Sequence, residues 1–415
     1  MKHSLFLLAA FMFVAAACTH PDKNKPVVIG KIDSVKSNIL GEERKIWIYT
    51  PDGIEDTSQH FPVLYLLDGD AHFSNIVGMI QQLNGVNGNA VVPQMIVVGI
   101  PNTNRTRDLT PTHSVLYADG SKKDDDFKAS GGGEKFVSFL QKELMPYVDS
   151  IYHPAPYRML VGHSFGGLTA MNIVINHTNM FNSYVVIDPS MWWDKQKLLN
   201  QARSAFQQKK FDNITLFMGI ANTMPIGMDT LQVRIDTTGA TNHMRCILLL
   251  KDILQRSKGD GLNFGYTYYK NDDHSSVPMI TEYDALHFIF SYYNMSYQVK
   301  SQLFDKNNHI DVAAAMSAHY ADVSKHLGYK VLPPEIDINH DGYHLLQNSQ
   351  PEKAYGLFML NMKNYPRSEN AYDSMGDYYL AQKDNAKAIE YYKKGLTIKE
   401  VPDTRKKLDS LLGKK

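Results

Sequence analysis

The sequence predicts an α/β domain, a mostly parallel sheet flanked by helices, followed by a smaller all-α C-terminal module. Three observations predict it. Short apolar runs alternate with longer helical patterns from Pro26 to Met295, as in βα units that cover a sheet on both faces. Within that span Val63–Leu67 and Met95–Ile100 are continuously apolar, which suits strands buried on both sides. Beyond Tyr297 only helical patterns remain. The chain of 415 residues is long enough for two domains. Its divisions read as a signal peptide over 1–17, a tether over 18–25, the α/β domain over 26–295, a helical connector over 296–334 and helical repeats over 335–415.

Composition narrows the function classes. Lys plus Arg and Asp plus Glu each number 43. No basic excess or stripe is visible, so no nucleic-acid partner is expected. A hydrophobic content of 43% is enough for real cores and argues against wholesale disorder.

The N-terminus reads as a processing signal. Lys2 and His3 precede an apolar run from Leu5 to Ala17, too short to span a bilayer comfortably and laid out as a secretory leader. Ala15-Ala16-Ala17 before Cys18 resembles a bacterial lipoprotein cleavage site, although Leu is commoner at the place of Ala15. Cys18 is therefore the expected lipidation site, with the protein exported and anchored to a membrane through its lipid. Cys246 is then left without a partner for an intramolecular disulfide.

In order along the domain, Val27–Ile32 and Arg44–Tyr49 alternate with period two and read as an antiparallel edge pair. The two buried strands follow. Phe136, Phe139, Leu140, Leu144 and Val148 share one face of a helix over Phe136–Ile151. Strands are expected at Arg158–Val161, Tyr184–Ile187, Ile214–Phe217 and Phe264–Tyr269, with helices from Gly167, over Met244–Leu254 and over Tyr283–Tyr293. In the C-terminal module an Ala-rich helix, Val312–Leu327, ends at Gly328 with Pro333-Pro334 beyond as a stop. Gly342 and Gly376, Ala354 and Ala388, and Phe358 and Tyr392 are each 34 apart (376 − 342, 388 − 354, 392 − 358). That period with Gly, Ala and an aromatic is the tetratricopeptide pattern. Two repeats cannot bury a solenoid core alone, so the 312–327 helix or the α/β domain must cover them. Lys406–Leu412 reads as a terminal helix. Asp337-Ile338-Asn339-His340-Asp341-Gly342 imitates half a calcium loop, but Asn348 stands where the bidentate Glu belongs. No metal site is expected there.

The chemistry centres on Gly162-His163-Ser164-Phe165-Gly166. The pentad alone is a weak signal, but an apolar strand runs into it and a helix pattern leaves it. That strand–turn–helix elbow exposes a serine hydroxyl to both a base and a carbonyl carbon. Ser164 is thus the candidate nucleophile. Asn271-Asp272-Asp273-His274-Ser275-Ser276 directly follows the last strand, which makes His274 the candidate base. His243 and His287 lie inside helical patterns, where a histidine is ordinarily a surface or core residue. His153 precedes the nucleophile, against the order Ser, acid, His. The Phe165 N–H, directly after the nucleophile, is expected to donate to an oxyanion.

Four ordered motifs carry a resemblance: Leu66-Leu67-Asp68-Gly69-Asp70, Gly162-His163-Ser164-Phe165-Gly166-Gly167, Asp188-Pro189-Ser190-Met191-Trp192-Trp193 and Asp272-Asp273-His274-Ser275. Over roughly residues 26–295 the chain resembles the putative-esterase group of α/β-hydrolases, which holds enterochelin-type siderophore esterases, esterase D relatives and mycolyltransferases. The resemblance implies ester-bond chemistry on a small-molecule ester with no metal and no organic cofactor. It also implies a second oxyanion donor, the amide of Asp70. Relatives often carry a Glu three residues beyond the glycine that ends the strand before the acid loop; counted from Gly219 that slot holds Asn222. Asp229 is the favoured acid, with Asp236, Asn222 and a Ser–His dyad left open.

Trp192 and Trp193 follow a strand end, as a wall of the substrate pocket or as core. The long segment Asn102–Gly133 is expected to cover the substrate, its Arg105 and Arg107 meeting an anionic substrate or tying the segment down. The sequence therefore predicts a serine-dependent carboxylic ester hydrolase acting through an acyl-enzyme on siderophore, feruloyl, acetyl or other small acyl esters. The alternative is an inactive hydrolase scaffold whose helical repeats bind a protein partner.

Overall fold

The computed structural model describes residues 26–55, 59–86, 90–257 and 261–414. The expected leader and the expected lipidation site, Cys18, lie outside them. Eight strands form one sheet: β1 (Lys31–Ser37), β2 (Glu42–Tyr49), β3 (Val63–Leu67), β4 (Ile96–Ile100), β5 (Arg158–His163), β6 (Ser183–Ile187), β7 (Thr215–Ala221) and β8 (Asn263–Tyr269). Their spatial order is β1-β2-β4-β3-β5-β6-β7-β8. β1 and β2 are antiparallel and every pairing from β4 to β8 is parallel. The expected antiparallel edge is therefore present. The first strand begins later than its apolar run: Val27, Val28 and Ile29 are exposed, and the hairpin register, Lys31↔Ile48 through Ser37↔Glu42, fixes β1 instead.

The helices of the α/β domain are α1 (Gly69–Asn84), α2 (Arg105–Leu109), α3 (Asp124–Phe127), α4 (Gly133–Phe139), α5 (Met145–Tyr152), α6 (Phe165–Asn176), α7 (Trp193–Gln208), α8 (Thr230–Ile235), α9 (Asn242–Arg256) and α10 (Val277–Ile289). The helix expected over Phe136–Ile151 is real but carries a π-helical segment, Leu140–Leu144, between α4 and α5. There Glu143 turns to accept the Asn38 and Ile39 amides of the β1–β2 turn, at 3.0 and 3.2 Å. Two apolar cores sandwich the sheet. One gathers Leu160, Leu168, Met218 and Leu250; the other gathers Leu64, Val161, Ile187 and Leu286.

Beyond the sheet come α11 (Tyr297–Phe304), α12 (Val312–Leu327), α13 (Glu335–Gln347), α14 (Pro351–Asn364), α15 (Glu369–Ala381), α16 (Asn385–Ile398) and α17 (Pro402–Leu411). The α13–α14 hairpin recurs as α15–α16 34 residues later (369 − 335 and 385 − 351). The two glycines of that repeat have a packing reason. A Cβ at Gly342 would sit 2.7 Å from the Phe358 ring, and one at Gly376 would sit 2.4 Å from the Tyr392 ring. Absence of a side chain lets each pair of helices close on an aromatic. Among the described residues no helix is long and apolar enough to cross a membrane.

α12 joins the two parts. Its first half puts Val312 and Met316 into the core of the helical module. Its second half puts Val323 and Leu327 into the sheet's second core, and Tyr292 stacks on His326 with ring centroids 4.2 Å apart. Burial of side chains like Val323 and Leu327 contributes about 1.5–3 kcal/mol each. Ending the chain after Lys300 should therefore lower the melting temperature and promote aggregation, as differential scanning calorimetry and light scattering will show. An unchanged melting temperature would mean that α12 is not part of the sheet's second core.

Glu282 on α10 is 1% exposed and neither carboxyl oxygen has a hydrogen-bond partner. Burial pushes its carboxyl up to about 8. In the unfolded chain the group ionises near pH 4.5, so the native state holds a proton that the unfolded state has lost between those values. Stability should decline with rising pH across that window, by at most about 1.4 kcal/mol per unit. The Glu282→Gln variant should be free of this decline in denaturation series run from pH 5 to 8; parallel curves for the two proteins would contradict it.

Candidate active site

The site lies along the carboxyl edge of three neighbouring parallel strands. β3, β5 and β6 end in Asp68, Ser164 and Asp188, and each has a left-handed backbone with φ of 53°, 60° and 39°. Non-glycine residues are strained there, and such strain clusters at functional positions. Backbone bonds hold the strained turns. Ser164 N–H donates to Ile187 O at 2.9 Å, Ser190 N–H to Ser164 O at 3.1 Å and Asp188 N–H to Gly219 O at 2.9 Å. The elbow closes tightly. A Cβ at Gly162 would sit 2.3 Å from Gly166 O, so only glycine fits. Helix α6 starts immediately, at Phe165 rather than Gly167, and presents Ser164 Oγ beside Ser190 Oγ at 3.3 Å.

His274 sits on the loop between β8 and α10, and its ring lies 4.6 Å from that of His163, centroid to centroid. His274 Nδ1 bonds Asp188 Oδ2 at 2.6 Å. Asp188 is wholly buried. Its other oxygen accepts the Ala221 N–H at 3.0 Å, and His243 Nε2 on α9 bonds Oδ2 at 2.8 Å. Burial alone would raise this carboxyl, but the charges and hydrogen bonds of His243 and His274 outweigh it and hold it well below the usual range. It is an anion at any working pH. Three donors converge on it, two of them imidazoles.

The carboxylate bonded to His274 therefore differs from the one the sequence led us to expect. Asp229 caps α8: its carboxylate accepts the Leu231 and Gln232 amides at 2.9 and 2.8 Å, and Gln232 returns a bond to its N–H. Asp236 accepts from Thr238 and Thr241. Asn222 donates to Lys270 O at 2.9 Å. The residue bonded to the His274 imidazole is Asp188, one strand earlier than expected. His243 was expected to be an ordinary helix histidine and is instead its second partner.

The two expected amide donors, of Asp70 and Phe165, lie in the first turns of α1 and α6. Amides in a helix's first turn lack acceptors within their own helix, and the helix dipole favours negative charge there. The parallel pairing of β3 with β5 sets these two helix starts side by side. Asp68, just before α1, is clamped by Arg105 through Nε at 2.6 Å and Nη2 at 2.9 Å, and by Asn102 Nδ2 at 2.7 Å. Burial would raise its carboxyl, but the Arg105 hydrogen bonds and charge win and lower it. Arg105 Nη2 also donates to His163 O at 3.2 Å, tying the β3 end to the elbow. Burial, then the nearby His274, pushes the His163 imidazole down to about 4, so it is neutral at pH 7.

The arginines of segment 102–133 tie it down. Arg107 pairs with Glu42 and Asp108, and the buried Arg44 with Asp108. The tryptophans belong to a packed cluster with Tyr117, Phe127 and Phe165 rather than to an open wall. Trp193 Nε1 donates to Thr112 O at 2.9 Å and so anchors the long segment over the strand ends.

A serine on a strained strand–helix elbow, a histidine after the last strand and a buried aspartate between them define an α/β-hydrolase. Residues 37–228 match the family model described as putative esterase, and over that part the chain is similar to that group of α/β-hydrolases. It is 29% identical over 153 residues to a siderophore enterobactin esterase of Emericella nidulans, covering 34% of this chain and 50% of the relative. It is 26% identical over 149 residues to the ferri-bacillibactin esterase BesA of Bacillus subtilis, covering 34% and 52%. The matches span about half the length of these curated relatives. Among solved structures, an IroE-like serine hydrolase from Shewanella oneidensis superposes with a TM-score of 0.68 at 28% identity, over 80% of this chain and 99% of that one. An uncharacterised protein from Capnocytophaga ochracea, 17% identical, shares the fold over 92% of this chain and 99% of its own, with a TM-score of 0.61.

The geometry separates the acid candidates. Asp188→Asn should slow covalent capture of Ser164 by a fluorophosphonate by on the order of 10⁴, through the wrong imidazole tautomer. Asp229→Asn should leave the capture rate near normal and the stability nearly unchanged, because Asn caps a helix about as well as Asp. Equal rates for the two variants would show that the Asp188–His274 bond does not act on Ser164.

Proposed function

We propose that this protein is a serine-dependent carboxylic ester hydrolase whose triad is Ser164, His274 and Asp188. The observation that carries the reading is the buried Asp188–His274 bond on the strand end beside Ser164. Asp188 holds the His274 proton on Nδ1, which leaves Nε2 as the base. His274 takes the Ser164 proton as Oγ attacks the ester carbonyl, and the Asp70 and Phe165 amides receive the oxyanion. The imidazolium returns its proton to the departing alcohol, leaving an acyl-enzyme. Water, deprotonated by the same imidazole, then releases the acid.

For the substrate, the names of the curated relatives favour a siderophore ester over feruloyl, acetyl or other small acyl esters. Two further assignments rest on the sequence: Cys18 as the lipidated first residue of an exported protein, and α13–α16 as a tetratricopeptide-like pair. With α12 already packed on both cores, this module is first a structural partner of the hydrolase. An external protein partner would use the remaining face.

A panel of trilactone siderophores, feruloyl esters and acetyl esters offered to the purified chain tests the substrate. Siderophore esters should have the highest kcat/KM, and Ser164→Ala should lower turnover by on the order of 10⁴–10⁶ without changing the melting curve. More than a tenth of normal activity in that variant would remove Ser164 from the mechanism.

A further inference from the structure

The Asp188 carboxylate is a buried anion with no Lys or Arg paired to it among the described residues; its ion-pair partners are the imidazoles of His243 and His274. We propose that these three side chains form a divalent-cation site of zinc chemistry, and that its occupation switches the hydrolase off. The donor atoms, Asp188 Oδ2, His243 Nε2 and His274 Nδ1, come from three different elements yet lie within 4.8 Å of one another. Two imidazoles and a carboxylate are a ligand set that zinc favours, with a fourth position left for water. The side chain of His274 is 37% exposed, which gives an ion a route to the otherwise buried oxygen. The site is compact in the apo geometry. Tetrahedral bonds of about 2.0–2.2 Å place donors roughly 3.3 Å apart, so the rings, now at 2.6 and 2.8 Å from Asp188 Oδ2, must retreat by roughly 0.5–0.7 Å. His274, on a loop, takes most of that movement.

The His243 ring can accept this role because Asp188 alone fixes its tautomer. Its Nδ1 is buried with no hydrogen-bond partner, so nothing on that side holds the ring in its present tautomer; a proton moved there finds no acceptor, a cost that the bonds to the cation must offset. When the cation binds, two neutral imidazoles coordinate it through His243 Nε2 and His274 Nδ1. Their protons move to His243 Nδ1 and His274 Nε2, and no electron is transferred. The consequence for catalysis rests on the triad proposed above. His274 Nε2 is the atom that must take the Ser164 proton, and in the zinc-bound tautomer it already carries one. Zinc thus blocks the base without touching the serine.

Binding and inhibition are tested apart. Zinc is titrated calorimetrically into untagged full-length chain carrying Ser164→Ala, which binds whether or not the esterase reading holds. One zinc per chain is expected, with affinity falling about tenfold or more on adding His243→Gln or His274→Ala. Cobalt in place of zinc should give the intense d–d absorption of a four-coordinate site, lost in the same variants. Circular dichroism and melting curves confirm that each variant is folded; His243→Gln keeps an amide donor within reach of Asp188. In the enzyme with Ser164 intact, zinc should inhibit hydrolysis of p-nitrophenyl acetate and EDTA should restore it. No saturable binding up to about 1 mM zinc, or binding unchanged by His243→Gln, overturns the site. Binding without inhibition of an active enzyme overturns the switch.

Discussion

A carboxylate sealed from water needs donors, and at Asp188 the surrounding fold supplies them. Burying an unpaired charge costs several kcal/mol, and here the Ala221 amide and the His243 and His274 rings converge to offset it. Each donor arrives from a different element. Ala221 ends β7, His243 lies on α9 and His274 follows β8. The order β5-β6-β7-β8 places those elements around the end of β6. The anion therefore does more than orient an imidazole. It is the point to which the β7 end, α9 and the His274 loop are all tied.

The second organising constraint is strain shared along one edge. Three successive strands in the sheet, β3, β5 and β6, each turn through a left-handed residue at the carboxyl end. Each such residue costs of order 1–3 kcal/mol and persists only where its surroundings over-determine it. Asp68 is held by Arg105 and Asn102, Ser164 by bonds to Ile187 and Ser190, and Asp188 by Gly219 and its own three donors. These supports interlock, because Arg105 also reaches His163 O. An elbow so braced keeps the serine hydroxyl in place before any substrate arrives.

Much of this was legible in the sequence, for reasons that differ by residue. The sheet was readable because parallel strands buried on both faces appear as unbroken apolar runs, as at Val63–Leu67. The elbow at Ser164 and the loop that carries His274 were readable because their signals are local: a glycine-flanked turn after a strand, and a segment directly after the last one. The Asp188–His274 bond was not, since it depends on which strand end stands beside Ser164, and sheet order is not written in any short segment. His243 is harder still. It meets Asp188 only because α9 crosses the strand ends, and its periodicity is that of any helix residue. Asp229 carried the opposite signal in plain view. Asp229-Thr230-Leu231-Gln232 is a capping box, and a carboxylate engaged by two amides of its own helix is not available to orient a histidine. α1 escaped notice because Asp68-Gly69-Asp70 reads as a turn, although Phe73, Ile76, Val77, Ile80 and Leu83 behind it form a buried face.

The position of α12 also bears on how quickly the molecule can form. Leu64 on the third strand and Leu327 at the end of α12 share one core, 263 residues apart in sequence (327 − 64). Closing so long a loop must precede the contacts that reward it, which slows folding. A nascent chain in which the Ser164 elbow has already emerged still lacks the helix that completes its second core. Between those two moments the part of that core that Val323 and Leu327 complete stands open, and a folding helper that shields such surfaces would act in that interval.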